Sequence, residues 1–215
     1  MKRRRVGFVT IKTLFRQYTS EYVPRNFEDT CDVKDIFMCE ACLLCLSTMK
    51  ELREHSDACL YRYWIPGDEI CRCSKKRCVV FEIDGRKPAS VSYTRRIAQI
   101  AKFFLEEKTT VDDLHFFSFI VLFEVDDYGY HFAGYFSREW KRSVTCDNSL
   151  SCVMVLPPYR SNGYGVFLIE ISYEMGRIEG APGTPERPLS RTGKCVFRRI
   201  WREELLRALH SLIEK

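Results

Sequence analysis

No apolar run in this sequence reaches the length of a membrane span, and the basic opening MKRRRVGFV lacks the apolar core of a secretory signal. The expectation is a soluble, intracellular protein with no membrane partner. Internal repeats and low-complexity tracts are absent, which sets aside solenoids and flexible linkers. A disulfide framework is missing too. The eleven cysteines are an odd number, unevenly spread, and an intracellular chain keeps them as thiols or metal ligands.

What is present is a globular composition. Of 215 residues, 46% are hydrophobic and 13% aromatic, enough for one sizeable core or a core with a small appendage. The net charge of +5 suits an acidic or polyanionic partner without demanding one. The initial KRRR is either a nuclear address or a solvated basic terminus.

Short alternating stretches such as VGFVTI open the chain, followed by a loop-like SEYVPRNFEDTCD. CVVFEIDG (78–85) has the pattern of a strand ending at an Asp84-Gly85 turn. Residues 91–107 place Ile97, Ile100, Ala101, Phe104 and Leu105 at helical spacing. Two strands meet at Asp127-Tyr128-Gly129. A strand over 150–156, a loop, a helix over 164–178, the loop GAPGTPERPLS and a helix from about 195 to 213 complete the chain. Strands in runs between helices predict an α+β (mixed α/β) fold.

The segment CEACLLCLSTMKELREHSDAC carries the strongest chemical signal. Cys39 and Cys42 are separated by two residues, so one turn presents both thiolates to a single ion. His55 and Cys59 lie four apart on one helical face, in a helix that starts near Ser47 or Thr48. Four such ligands suit tetrahedral Zn²⁺; Cys45 is a bystander. A finger of this kind either reads nucleic acid or braces a larger domain. Mixed charges on its helix (Lys50, Glu51, Arg53, Glu54, Asp57) favour bracing and leave direct DNA binding open. A second cluster, CRCSKKRC, holds Cys71, Cys73 and Cys78 with no evident fourth ligand.

The loop Arg160-Ser-Asn-Gly163-Tyr-Gly165 joins an apolar strand to a helix start. Unpaired N–H groups and the helix dipole favour an anion there. Glycines let a ligand approach the backbone, and Arg160 can add charge-assisted bonds. This chemistry suits a pyrophosphate, although a glycine pair also makes a plain tight turn. The pattern is neither a Walker loop nor a Rossmann fingerprint.

R-x-x-G-x-G after an apolar strand resembles the coenzyme A loop of the acetyltransferase superfamily. CEACL…H…C, PGDEI, VFEIDGRK, FLEEKT, GYFS, LPPYRSNGYG and GTPERPLS follow in the order found in MYST-type histone acetyltransferases. The resemblance covers about residues 6 to 205. It implies an acetyl-CoA-binding core of the GNAT/MYST type over 63–215, an N-terminal strand and loop segment over 1–36, and a C2HC zinc finger over 37–62. The implied activity is acetyl transfer from acetyl-CoA to lysines of core histones or nucleosomes, in the nucleus, within a NuA4-like complex.

The same resemblance implies roles for individual residues. Val153, Met154 and Val155 would hold the acetyl and pantetheine part of the cofactor. Arg160, Ser161, Asn162, Gly163, Tyr164, Gly165 and Val166 would hold its pyrophosphate, and Ser190 would add a contact. Cys152 stands at the active-site cysteine and Glu186 at the general base, while Lys108 corresponds to a self-acetylated lysine. Cys39, Cys42, His55 and Cys59 match the structural zinc site. There are departures. Arg199 replaces a cofactor-contacting serine, the stretch 137–152 is slightly long, no chromodomain precedes the finger, and a shortened C-terminal segment is expected to leave the peptide groove incomplete. Two rival readings are a non-catalytic zinc-containing scaffold and an acetyltransferase for a small amine.

Overall fold

The computed structural model describes residues 9–12, 17–20, 35–102, 104–105, 111–140 and 147–214. Two larger sheets and a small one organise the fold. Strands β1 (Val9–Lys12), β2 (Gln17–Ser20), β3 (Asp35–Met38) and β4 (Cys45–Leu46) form one sheet in the order β2-β1-β3-β4. The central sheet is antiparallel and contains β5 (Asp68–Cys73), β6 (Cys78–Asp84), β7 (Phe117–Asp126), β8 (Gly129–Glu139) and β10 (Cys152–Val155), in the order β10-β8-β7-β6-β5. Strands β9 (Asn148–Leu150) and β11 (Thr184–Pro185) pair in parallel as the third sheet.

The middle of the central sheet is buried on both faces, so β7 and β8 carry continuous apolar runs in place of alternation. Phe119, Phe123, Phe132, Tyr135 and Phe136 are fully enclosed there. Helix α2 (Pro88–Ala101) packs on β6, and α3 (Tyr164–Ile178) packs on β8, β9 and β10. The long α4 (Arg191–Ile213) crosses α3, where the Trp201 indole donates to the Tyr173 hydroxyl at 2.7 Å. No helix among the described residues is long and apolar enough to cross a membrane.

Three expectations from the sequence are corrected. The helix expected over 91–107 begins earlier, because Pro88 takes a first-turn position where its missing N–H costs nothing. It ends at Ala101, whose carbonyl then receives the N–H groups of both Phe104 and Leu105 as the chain folds back. The strand expected over 150–156 is broken at Ser151 into β9 and β10, which have different partners. The last helix starts at Arg191 and not 195, because the Ser190 hydroxyl caps it by accepting from the Gly193 N–H at 3.1 Å.

The cysteine-rich segment is tied to the sheet by a buried chain of charge. His131 on β8 donates from Nδ1 to Glu40 Oε2 at 2.6 Å and from Nε2 to Asp126 Oδ1 at 2.7 Å. Burial disfavours the charged ring, but the bonds to Glu40 and Asp126 outweigh it and hold His131 above its ordinary value. The Phe132 N–H also donates to the Glu40 carbonyl at 2.9 Å. His131→Ala removes the buried ring that Glu40 and Asp126 both meet and should cost about 3 kcal/mol in urea unfolding. A raised folded pKa gives stability that is complete below about pH 6.5 and fades as pH rises through it. The deficit should therefore be larger at about pH 6 than at about pH 9; equal deficits would show that the ring acts by packing alone.

Candidate functional site

Two sites emerge, one built by the finger and one at the edge of the central sheet. In the finger, β3 and β4 pair through Phe37↔Leu46 and Met38↔Cys45, and their turn presents Cys39 and Cys42. The Cys39 N–H donates to the Leu44 carbonyl at 3.0 Å, and the Leu43 N–H to the Cys39 carbonyl at 2.8 Å. Helix α1 (Met49–Ala58) follows, begun by a capping box in which Thr48 and Glu51 satisfy each other's backbone N–H. His55 lies in its last turn and Cys59 is its C-cap.

The four side chains converge as the spacing predicts. The ligand atoms of Cys39, Cys42, His55 and Cys59 all lie within 4.8 Å of one another. Cys39 Sγ is 3.8 Å from Cys59 Sγ, and Cys42 Sγ is 3.1 Å from His55 Nε2. A zinc tetrahedron with Zn–S bonds of about 2.3 Å sets its sulfurs about 3.8 Å apart. Bonds from Cys39 and then Cys59, with burial behind them, push the Cys42 thiol up. Three thiols this close cannot ionise together without a cation between them. The donor set thus fits Zn²⁺, and Cys45 stays outside it.

The finger is locked to the core on a second side. The Tyr93 hydroxyl on α2 donates to the Ala41 carbonyl at 2.9 Å, and Arg96 Nη1 donates to the Cys42 carbonyl at 3.2 Å. Tyr61 stacks on Tyr93 with ring centroids 5.3 Å apart. A metal here holds the knuckle from which these contacts radiate, which accords with a bracing role.

At the sheet edge, β10 pairs only with β8 among the described residues. The Leu156 N–H donates inward to the Ala133 carbonyl at 2.9 Å. The Met154 carbonyl also faces β8, so close that a Cβ on Gly134 would sit 2.4 Å from it. Main-chain groups alternate along a strand, so those of Val153 and Val155 point away, to the open edge. The Val155 carbonyl is taken there by Arg160 Nε at 3.1 Å. The side chains of Cys152 and Met154 are buried, and those of Val153 and Val155 are half-buried.

Pro157 and Pro158 then end the strand in a 3-10 turn over Pro157–Tyr159. Ser161 adopts φ 65°, and Gly163 enters α3 at φ 81°, which explains the first glycine. Gly165 is different. Among the described residues a Cβ there would meet only Val155 Cγ2, at an ordinary 4.0 Å, so none of them requires glycine at this position. No side chain caps α3 and no acidic residue occupies its first turn. Tyr164 pins the helix start to the sheet by donating its hydroxyl to Glu124 Oε1 at 2.8 Å. Asn162 is exposed, and Val166 is half-buried in the first turn.

Glu186 and Cys152 are distant in sequence and are brought together through β9. The Glu186 N–H donates to the Leu150 carbonyl at 2.8 Å, just past the Pro185↔Leu150 pair. This holds half-buried Glu186 beside the chain that enters Cys152. The Cys152 N–H donates to Ser137 Oγ at 3.3 Å, so of the backbone N–H groups of Cys152 and Val153 only that of Val153 faces the open edge. Arg199 pairs with Glu203 at 2.8 Å. Lys108 lies outside the described residues. The sequence reading missed a groove of about 630 Å³ lined by Arg187, Pro188, Leu189, Lys194, Arg198 and Trp201, whose cations are spread over a loop and a helix.

Residues 65–215 match the MOZ/SAS family. "Histone acetyltransferase of the MYST family 1" from Arabidopsis thaliana is 43% identical over 175 residues, which are 81% of this chain and 38% of that protein. "Histone acetyltransferase mst2" from Schizosaccharomyces pombe is 39% identical over 192 residues, 89% of this chain and 44% of that protein. The chain thus spans less than half the length of these relatives. An aminoglycoside acetyltransferase from an uncultured soil metagenomic sample superposes with a TM-score of 0.35 at 12% identity, over 56% of this chain and 86% of that one; so loose an overlap says nothing about the site.

Two outcomes follow from this geometry. The purified protein should carry one zinc, and Cys59→Ala should lose it and lower Tm by roughly 10 °C; a well-folded, zinc-free parent in metal analysis would reject the site. Gly165→Ala should leave Tm unchanged or stabilise by up to about 1 kcal/mol, because alanine is the better helix former and meets no clash. The same change should weaken binding of CoA, the ligand that the resemblance implies, by about tenfold or more, since the methyl occupies the approach to the backbone. Calorimetric titration checks this, and unchanged affinity would mean that no ligand approaches at Gly165.

Proposed function

Because the chain belongs to the MOZ/SAS family, we propose that it is a lysine N-acetyltransferase that moves the acetyl group of acetyl-CoA to lysines of core histone tails. The observation that carries this reading is the junction of an open strand edge with an uncapped helix start, at β10 and α3. An extended amide-bearing ligand can pair with Val153 and Val155 while its pyrophosphate meets the N–H groups of α3. A non-catalytic scaffold requires neither feature.

Acetyl-CoA supplies an activated thioester, and the residues of the chain do the rest. A substrate lysine arrives as an ammonium, with a pKa of about 10.4 in water, and cannot attack. Glu186 takes its proton. The free amine then attacks the acetyl carbon directly, the new C–N bond replaces the C–S bond, and the leaving thiolate takes up the second proton that the nitrogen sheds. The outward N–H of Val153 stabilises charge developing on the carbonyl oxygen. Cys152, in the buried row of an edge strand, lines the pocket and forms no covalent intermediate. Val153, Met154, Val155, residues 160–166 and Ser190 make up the cofactor site; Ser190, which caps α4 as an acceptor, still has its O–H to donate. The groove cations Arg187, Lys194 and Arg198 suit an acidic cofactor and repel a basic tail.

Residues 37–62 serve as a structural zinc finger and 63–215 as the catalytic core, with 1–36 completing the domain. Lys108 is the proposed self-acetylation site. Action on chromatin places the protein in the nucleus, as a subunit of a NuA4-like complex.

The test is radiolabelled acetyl transfer to mixed core histones, free and in nucleosomes. Transfer is expected, and Glu186→Gln should lower turnover about 10²-fold or more near neutral pH. That loss should shrink toward about pH 10, where the free amine is available without a base. Cys152→Ser and Cys152→Ala should stay within roughly tenfold of the parent, or about 1.4 kcal/mol of barrier, when assayed on protein already acetylated at Lys108. Acetyl-CoA binding without transfer would favour the scaffold. Loss of turnover in both cysteine variants, with a trapped thioester on the parent, would make Cys152 the nucleophile.

A further inference from the structure

The first turn of α3 has an excess of positive charge. Its N–H groups carry the positive end of the helix dipole, with no acidic residue in that turn and, among the described residues, no capping side chain on Gly163. Arg160 stands just before it, and a further cation arrives from 84 residues upstream of Arg160. The turn between β5 and β6 (residues 74–77, SKKR) is held by the Arg77 N–H donating to the Ser74 carbonyl at 3.2 Å, with Arg77 at φ 49°. This turn delivers Lys76 to the loop. Lys76 Nζ lies 3.6 Å from where a Cβ of Gly163 would be, and 5.9 Å from the Phe167 ring centroid. Among the described residues neither Lys76 nor Arg160 is ion-paired to a carboxylate.

An ammonium set against the positive end of a helix is unfavourable by itself. It becomes favourable when an anion sits between the two, because each cation then meets opposite charge. The vacant side of Gly165 is where such an anion has room. We infer that Lys76 is a cofactor-binding residue that closes over the pyrophosphate of acetyl-CoA from the β5–β6 turn, on the loop that Arg160 begins. This rests on the acetyl-CoA reading of that loop. It also gives a role to a basic turn that the zinc and transfer chemistry leave unused. Lys75, its neighbour in the turn, carries the same charge and makes none of these contacts.

The experiment is calorimetric titration of the zinc-loaded protein with CoA, comparing the parent with Lys76→Gln, Lys76→Arg and Lys75→Gln. Lys75→Gln changes net charge equally, so it controls for the general field. Lys76→Gln should weaken CoA about fivefold, and the other two should stay within about twofold. Dephospho-CoA keeps the pyrophosphate and lacks the 3′-phosphate, so Lys76→Gln should weaken it by the same factor. Equal affinities for the two glutamine variants would overturn the assignment, as would a loss that vanishes with dephospho-CoA. A parent that binds no CoA at all would overturn the acetyl-CoA reading itself, a result distinct from variants that bind as well as a binding parent.

Discussion

A strand has two hydrogen-bonding edges, and the site exists because residues 148–155 do not use both of theirs along one continuous line. At Ser151 the chain changes partner. Before it, β9 pairs with β11; after it, β10 pairs with β8. The Ser151 N–H donates to the Ser137 carbonyl at 2.8 Å and the Cys152 N–H to the Ser137 hydroxyl, so one residue of β8 anchors the break. The β9 pairing draws in the segment that carries Glu186. The break leaves the far edge of β10 without a strand partner among the described residues, with the main-chain groups of Val153 and Val155 directed outward. A continuous strand, paired on both sides, would bury that edge and keep Glu186 from the cysteine.

The finger solves a different problem. Its own apolar cluster of Cys39, Ala41, Cys42, Leu52 and Cys59 is small, too small to fold alone without a cross-link. A metal bound by Cys39, Cys42, His55 and Cys59 would supply that link, and the polar groups of the segment point outward from it. Glu40 meets His131 on β8, the Cys42 carbonyl meets Arg96, and the Ala41 carbonyl meets Tyr93. Each contact comes from within three residues of a cysteine of the knuckle. A metal at this cluster would therefore fix where His131, Arg96 and Tyr93 meet the segment, which is the physical content of the proposed bracing role.

Some of this was legible in the sequence and some was not. The zinc ligands follow from spacing, because a two-residue turn and one helical turn fix relative positions without reference to the rest of the fold. The start of α3 follows from the proline pair and the glycine loop that precede it. The break at Ser151 was hidden, since VMVL and the residues before it are equally suited to one strand; only tertiary pairing with a two-residue partner divides them. The start of α4 was missed although Ser190 is a good cap, because RTGK carries no apolar periodicity and Gly193 lowers helix propensity. The β11 pairing and the contact of Lys76 with the loop join residues many positions apart, which no local pattern reports.

The charges also separate the two substrates of the proposed reaction. One is a polyanion and the other a basic peptide, and they must meet without exchanging places. Arg160, Lys76 and the positive end of α3 gather where β10 ends, while Arg187, Lys194 and Arg198 line the groove beside the loop. These cations attract phosphates and repel a lysine-rich tail. Glu186, the residue immediately before Arg187, carries the opposite charge on the half-buried side of that loop. A tail lysine is repelled from the groove but attracted to a carboxylate that can take its proton. In the proposed reaction, discrimination between the substrates and activation of the nucleophile would thus come from one alternation of charge, in adjacent residues of a loop whose position is set by the β9 pairing.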